Sequence, residues 1–132
     1  MTIVEHQFPG SDKMEERGYC VFPEDLESDG LVLFHGTHTT DWPKILSEGF
    51  KSAAQLKGDG LESVSYAYDS SVALSHIRKR YPSGEVIIIA VRFDVLETSP
   101  GMKVNTSNVH VFDGRQPEII GFCKIPADYA FI

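Results

Sequence analysis

Six apolar residues in a row, Val86-Ile87-Ile88-Ile89-Ala90-Val91, constrain this chain most. Five of the six are β-branched, stiff about χ1 and suited to a pleated surface, and an unbroken apolar run is the form of a strand covered on both faces. The sequence therefore predicts a central strand over 85–93.

Other elements arrange themselves around it. Leu31-Val32-Leu33-Phe34, after Asp29-Gly30, reads as a second buried strand, ending at His35-Gly36. Thr40 as a cap, Pro43 in the first turn, Trp42, Ile45 and Leu46 on one face and Gly49 as a left-handed stop predict a helix over 41–48. Residues 51–62, with Gly58-Asp59-Gly60, read as a surface loop, and Val64, Tyr66 and Tyr68 alternate as a strand does, ending at Asp69. Asp69 or Ser70 suits an N-cap, after which Val72, Ala73, Ile77 and Tyr81 mark a helix stopped by Pro82-Ser83-Gly84; Arg78-Lys79-Arg80 complement its dipole. Beyond a loop containing Pro100-Gly101 and Asn105–Asn108, Val109–Phe112 and Glu118–Ile125 read as two late strands. Residues 1–29 show no period and are expected to be an irregular arm with one short strand at Tyr19–Phe22, leaving 30–132 as the functional domain. Five strands and two helices make a mixed α+β fold with flanking helices.

A net charge of −7 removes the main attractive term for a nucleic-acid partner, apart from a local patch at Arg78, Lys79 and Arg80. No apolar stretch approaches the roughly 20 residues that span a bilayer, and the N-terminus lacks a signal-peptide pattern, so no membrane partner and a cytoplasmic location are expected. Cys20 and Cys123 exclude a disulfide scaffold and a four-thiolate zinc site; reduced thiols are expected, with a single bridge left open. His35 and His38 lack companions that would complete a metal site, and His76 and His110 are assigned to the surface or to packing.

Three segments then align in order. Leu33-Phe34-His35-Gly36-Thr37, followed by Trp42-Pro43-Lys44-Ile45-Leu46 and Glu48-Gly49-Phe50, is similar to the opening of the poly(ADP-ribose) polymerase-like catalytic domain and its bacterial relatives. Ser65-Tyr66-Ala67-Tyr68-Asp69 resembles that family's tyrosine segment, and Pro117-Glu118-Ile119-Ile120-Gly121-Phe122 its glutamate before the closing strand. The likeness runs over about residues 30–125, carried by about a dozen positions. The glycine-rich lead into the tyrosine strand is reduced here to Gly58-Asp59-Gly60.

The resemblance implies an ADP-ribosyltransferase-like split β-sheet with two or so flanking helices, and NAD as co-substrate. Cleaving the nicotinamide glycosidic bond develops positive charge on the ribose, so an anion beside that ribose stabilises the transition state. By that likeness His35 bonds a ribose hydroxyl, Gly36 approaches the carboxamide, and Thr37 offers a hydroxyl. Tyr66 stacks the nicotinamide with Tyr68 as fallback, Glu118 holds the ribose and its developing charge, and Gln116 aligns the acceptor. The short chain favours transfer of a single ADP-ribose over polymer synthesis, to a protein acceptor ahead of a nucleic acid, as in a small bacterial or phage-borne effector or toxin. NAD glycohydrolysis, RNA 2′-phosphotransfer and non-catalytic NAD or ADP-ribose binding stand as rival expectations, the phosphotransferase weakened by missing basic residues.

Overall fold

The computed structural model describes residues 3–52 and 63–129; the expected loop at 51–62, with Gly58-Asp59-Gly60, lies mostly outside the described residues. In chain order the elements are β1 (Val4–His6), a 3-10 turn (Ser11–Lys13), α1 (Glu24–Glu27), β2 (Val32–His38), α2 (Trp42–Glu48) and β3 (Val64–Ala67). They continue with α3 (Ser70–Arg80), β4 (Val86–Arg92), β5 (Met102–Val104), β6 (Asn108–Val111) and β7 (Glu118–Ile125). Among the described residues the fold is α+β: seven strands form one mixed sheet in the order β1-β7-β4-β2-β3-β6-β5, parallel only between β1 and β7.

The apolar run forms β4, whose residues Val86 to Val91 are all buried. β2 lies antiparallel on one side, paired from Val32↔Arg92 to His38↔Val86, and β7 on the other. A bulge between Ala90 and Val91 leaves Ile120 unpaired, since Gly121 faces Ala90 and Ile119 faces Val91. The two faces have separate cores. Phe34, Ile88 and Ala90 pack under α3 and the N-terminal segment, while Leu33, Ile87, Ile89 and Val91 pack with Phe50, Tyr66 and Val109, against which Trp42 and Ile45 of α2 lie.

Several expectations need correction. β2 does not end at His35-Gly36 but runs on to His38, because β4 offers it a partner at all seven positions. Gly36 is thus an interior strand residue, and a Cβ there would stand 2.8 Å from Ile77 Cβ and 3.0 Å from the Ala73 carbonyl oxygen. Its lack of a side chain lets α3 lie directly on the sheet. No strand forms at Tyr19–Phe22; Tyr19 has a left-handed φ of 65°, and β1 lies further upstream on the β7 edge. The segment before β2 belongs to the core, with Met14, Val21 and Phe22 each 1% exposed and Phe22 stacked on Phe34 at 5.2 Å. β5 occupies part of the stretch read as loop, where its three residues give too short an alternation to stand out.

Asp69 takes the N-cap position of α3 without a side-chain cap bond. Glu27 from α1 does that work: its carboxylate accepts the Ser70 N–H at 3.2 Å and the Ser70 hydroxyl, which in turn accepts the Val21 N–H at 2.9 Å. An anion at a helix N-terminus is favoured by the helix dipole, and the same bonds tie the N-terminal segment to the fold. At the other end Arg78 turns inward, donating to the carbonyls of Tyr81, Gly84 and Pro126 at 3.3, 2.6 and 2.7 Å. Only Lys79 and Arg80 of the expected basic patch are exposed. Among the described residues no helix is long and apolar enough to cross a membrane.

Gly36→Ala is expected to destabilise the fold by about 1–3 kcal/mol through overpacking against Ile77. Chemical denaturation reads this; an unchanged midpoint would mean that α3 can shift away freely.

Candidate ligand cleft

β2 and β3 are paired at Phe34↔Ala67 and diverge beyond it. Where they part, a cleft of about 680 Å³ opens, walled by His35, Thr37 and His38 of β2, Ser65 of β3, Lys44 of α2, Phe50, and Arg80 and Tyr81 at the end of α3.

His35 is held from behind. Its Nδ1 lies 2.8 Å from the Ser65 carbonyl oxygen, which can only accept, so Nδ1 carries the proton. Burial lowers the His35 pKa below its ordinary value, an effect that the Ser65 bond opposes without cancelling. The ring is therefore neutral and Nε2 is a hydrogen-bond acceptor. Phe50 packs edge-on against it at 5.2 Å and Tyr66 at 5.6 Å. His38 has the opposite tautomer, because its Nδ1 accepts the Thr40 N–H at 3.2 Å and so leaves the proton on Nε2. The cleft is thus lined by one imidazole acceptor and one imidazole donor, which alternation along β2 puts on opposite faces of the strand, His35 toward Phe50 and Tyr66 and His38 toward Tyr81.

The other predicted residues are distributed unevenly. Thr37, 6% exposed, lines the cleft beside His35. Tyr66 lies beneath it in the core, 1% exposed, with edge contacts to Phe50 at 5.4 Å and Phe93 at 5.1 Å. Its hydroxyl has no hydrogen-bond partner among the described residues, and burial drives its pKa far above the ordinary phenol range. Tyr68 packs at the margin of the same core and does not line the cleft.

Gln116 acts on the cleft through Phe50. Its Oε1 accepts the Phe50 N–H at 2.7 Å, and its Nε2 donates to the Phe50 carbonyl at 2.9 Å and to that of Gly114 at 3.0 Å. This clamp needs Gly49, where φ is +82° and a Cβ would stand 2.6 Å from Gln116 Oε1. Glu118 is not brought to His35. It pairs with Arg92, which also faces Val32, so alternation puts it in the row of Val32 and away from that of Leu33, His35 and Thr37. It borders a smaller hollow of about 380 Å³ with Arg92, Asp94 and Arg115. Arg115 is tied to Asp113 at 2.7 Å, and its guanidinium holds the Asp113 carboxyl down at about 2.

Phe50, Ser65 and Arg80 form the cleft without having been singled out for it from sequence. From sequence Phe50 reads only as part of a helix stop, and Ser65 carries no local signal, since its place depends on which strand lies beside it. Among the described residues no group of three or more His, Cys, Asp or Glu side chains is placed to hold a metal ion.

Two measurements follow from this geometry. Tyr66→Phe removes an unpartnered buried hydroxyl and is expected to leave stability unchanged or raise it by up to about 1 kcal/mol, read by thermal melting; a marked loss would mean that the hydroxyl has a partner. His35 takes up its proton less readily folded than unfolded, so its contribution is intact above its ordinary pKa of 6.5 and is lost as pH falls from there through the lower folded value. Stability should decline across that window, and His35→Gln should flatten the slope.

Comparison of the chain with protein-family models and with curated protein sequences returns no match.

Proposed function

We propose that this chain is an NAD-dependent mono-ADP-ribosyltransferase of the poly(ADP-ribose) polymerase-like kind, with its nucleotide in the cleft between β2 and β3. The observation that carries the reading is His35: a neutral imidazole, oriented by the Ser65 carbonyl, that leaves Nε2 to accept a hydrogen bond from a ribose hydroxyl. Beyond Phe34 the edge of β2 that faces β3 has no paired strand among the described residues, so the backbone groups on that edge suit a carboxamide. Lys44 and Arg80 on the rim supply positive charge for a diphosphate despite the net charge of −7. In this reading His35 and Thr37 hold the nicotinamide ribose, and Gln116 acts by fixing Phe50 beside it. Glu118 is proposed to favour the cationic transition state, which requires its carboxylate to reach the ribose from the opposite row, and Tyr66 is the aromatic behind His35. A protein is the proposed acceptor; water in its place makes the chain an NAD glycohydrolase.

The row occupied by Glu118 favours a second reading, a non-catalytic binder of NAD or ADP-ribose, since a carboxylate facing away from the ribose cannot stabilise its charge. Nicotinamide release from NAD, with and without cell extract, separates the two. The transferase reading expects label on protein, a rate about 10²-fold lower in Glu118→Gln, and NAD binding about 10-fold weaker in His35→Ala. Free ADP-ribose without labelled protein selects glycohydrolysis. Saturable binding that His35→Ala abolishes, with no nicotinamide released, selects the binder.

A further inference from the structure

By the family likeness Tyr66 stacks on the nicotinamide, yet the cleft does not reach it, because Phe50 lies between. His35 and Tyr66 point to the same face of the sheet, and on that face the Phe50 ring packs edge-on against His35 at 5.2 Å and against Tyr66 at 5.4 Å. What keeps Phe50 there is slight. Among the described residues no strand takes its backbone groups; the N–H donates to Gln116 Oε1 at 2.7 Å and the carbonyl accepts from Gln116 Nε2 at 2.9 Å. Gln116 is exposed, so water can replace both bonds once its side chain lets go. Gly49, immediately before Phe50 at a φ of +82°, supplies a hinge without a Cβ to restrict it. The closed arrangement also leaves the Tyr66 hydroxyl without a hydrogen bond, a cost that folded chains avoid and that lasts only until water or a ligand reaches it.

We propose that Phe50 is a gate between the cleft and Tyr66, hinged at Gly49 and latched by Gln116, an inference that rests on the cleft taking NAD. Latched, as in this structure, the Phe50 ring fills the space between His35 and Tyr66. Open, it yields that space to a planar aromatic amide, the nicotinamide end of the dinucleotide, and gives the Tyr66 ring a face to stack on it. The ligand binds the open form alone, so its apparent affinity is reduced by the fraction of molecules that are latched. Gln116 is thereby a positioning residue: it sets where Phe50 stands and, through Phe50, whether the cleft extends to Tyr66.

The test has two arms, both on the full chain. Nitration by tetranitromethane, mapped by peptide mass spectrometry, reads the exposure of Tyr66 without NAD, with Tyr81 at the cleft and buried Tyr129 as internal standards. Tyr66 should react more slowly than Tyr81 in the unaltered chain and about 10-fold faster in Gln116→Ala, which lacks both bonds to Phe50; Gln116→Glu, which keeps only the acceptor for the Phe50 N–H, should fall between. A Tyr66 rate unchanged in both variants overturns the gate, as does equal acceleration of Tyr66 and Tyr129, which is general loosening. The second arm is NAD binding by calorimetry. Gln116→Ala should bind NAD about 10-fold tighter, because the ligand no longer has to open the gate, whereas a merely structural clamp predicts weaker binding. Unchanged or weaker binding overturns the gate and leaves the transferase reading standing. Accelerated nitration of Tyr66 in a chain that binds no NAD removes the transferase reading and the gate's role with it.

Discussion

The burial of β4 on both faces and along both edges is the constraint on which the rest depends. A run of β-branched residues cannot be left in water, and each buried Val or Ile contributes roughly 1.5–3 kcal/mol, so the chain must bring a strand to either side and a layer to either face. β2 and β7 satisfy the edges, and α3 and α2 lie over the faces. The full-length pairing with β4 makes β2 straight and rigid through His38. His35, Thr37 and His38 are consequently presented from the stiffest part of the molecule, which is what a binding residue requires.

The cleft exists because the same sheet is less well knit on its other side. β3 meets β2 at Phe34↔Ala67 and then departs, and the gap is closed behind by contacts between distant segments. The Ser65 carbonyl reaches across to His35, and Gln116 grips both backbone groups of Phe50 from 66 positions away. Tyr66 and Phe93 complete an aromatic floor under His35. Backbone groups that no strand satisfies are thus partly replaced by side-chain bonds, and the imidazole gains a fixed tautomer.

Much of the fold was legible from sequence because its elements declare themselves locally. The final strand spans Glu118–Ile125 as read, and α2 and α3 fall within a residue or two of their caps and stops. What was missed depends on partners. Extension of β2 past Gly36 needed a seven-residue partner in β4; β1 and β5 are three residues long and take their form from β7 and β6. The order of a segment without period, such as that carrying Met14 and Phe22, follows from where its few large apolar residues find a core.

The site divides in the same way. Residue types and their order along the chain, His35-Gly36-Thr37, Tyr66 and Gln116 with Glu118, are properties of the sequence, as are the central strand and its apolar periodicity. Which of them meet is not. Strand register and the bulge at Ala90/Val91 put Glu118 in the row opposite His35, packing set Tyr66 beneath the cleft, and strand order set Ser65 between His35 and His110. A period of two decides which residues share a face only once the pairing partner and register are known, and those are fixed by contacts between segments far apart in the chain.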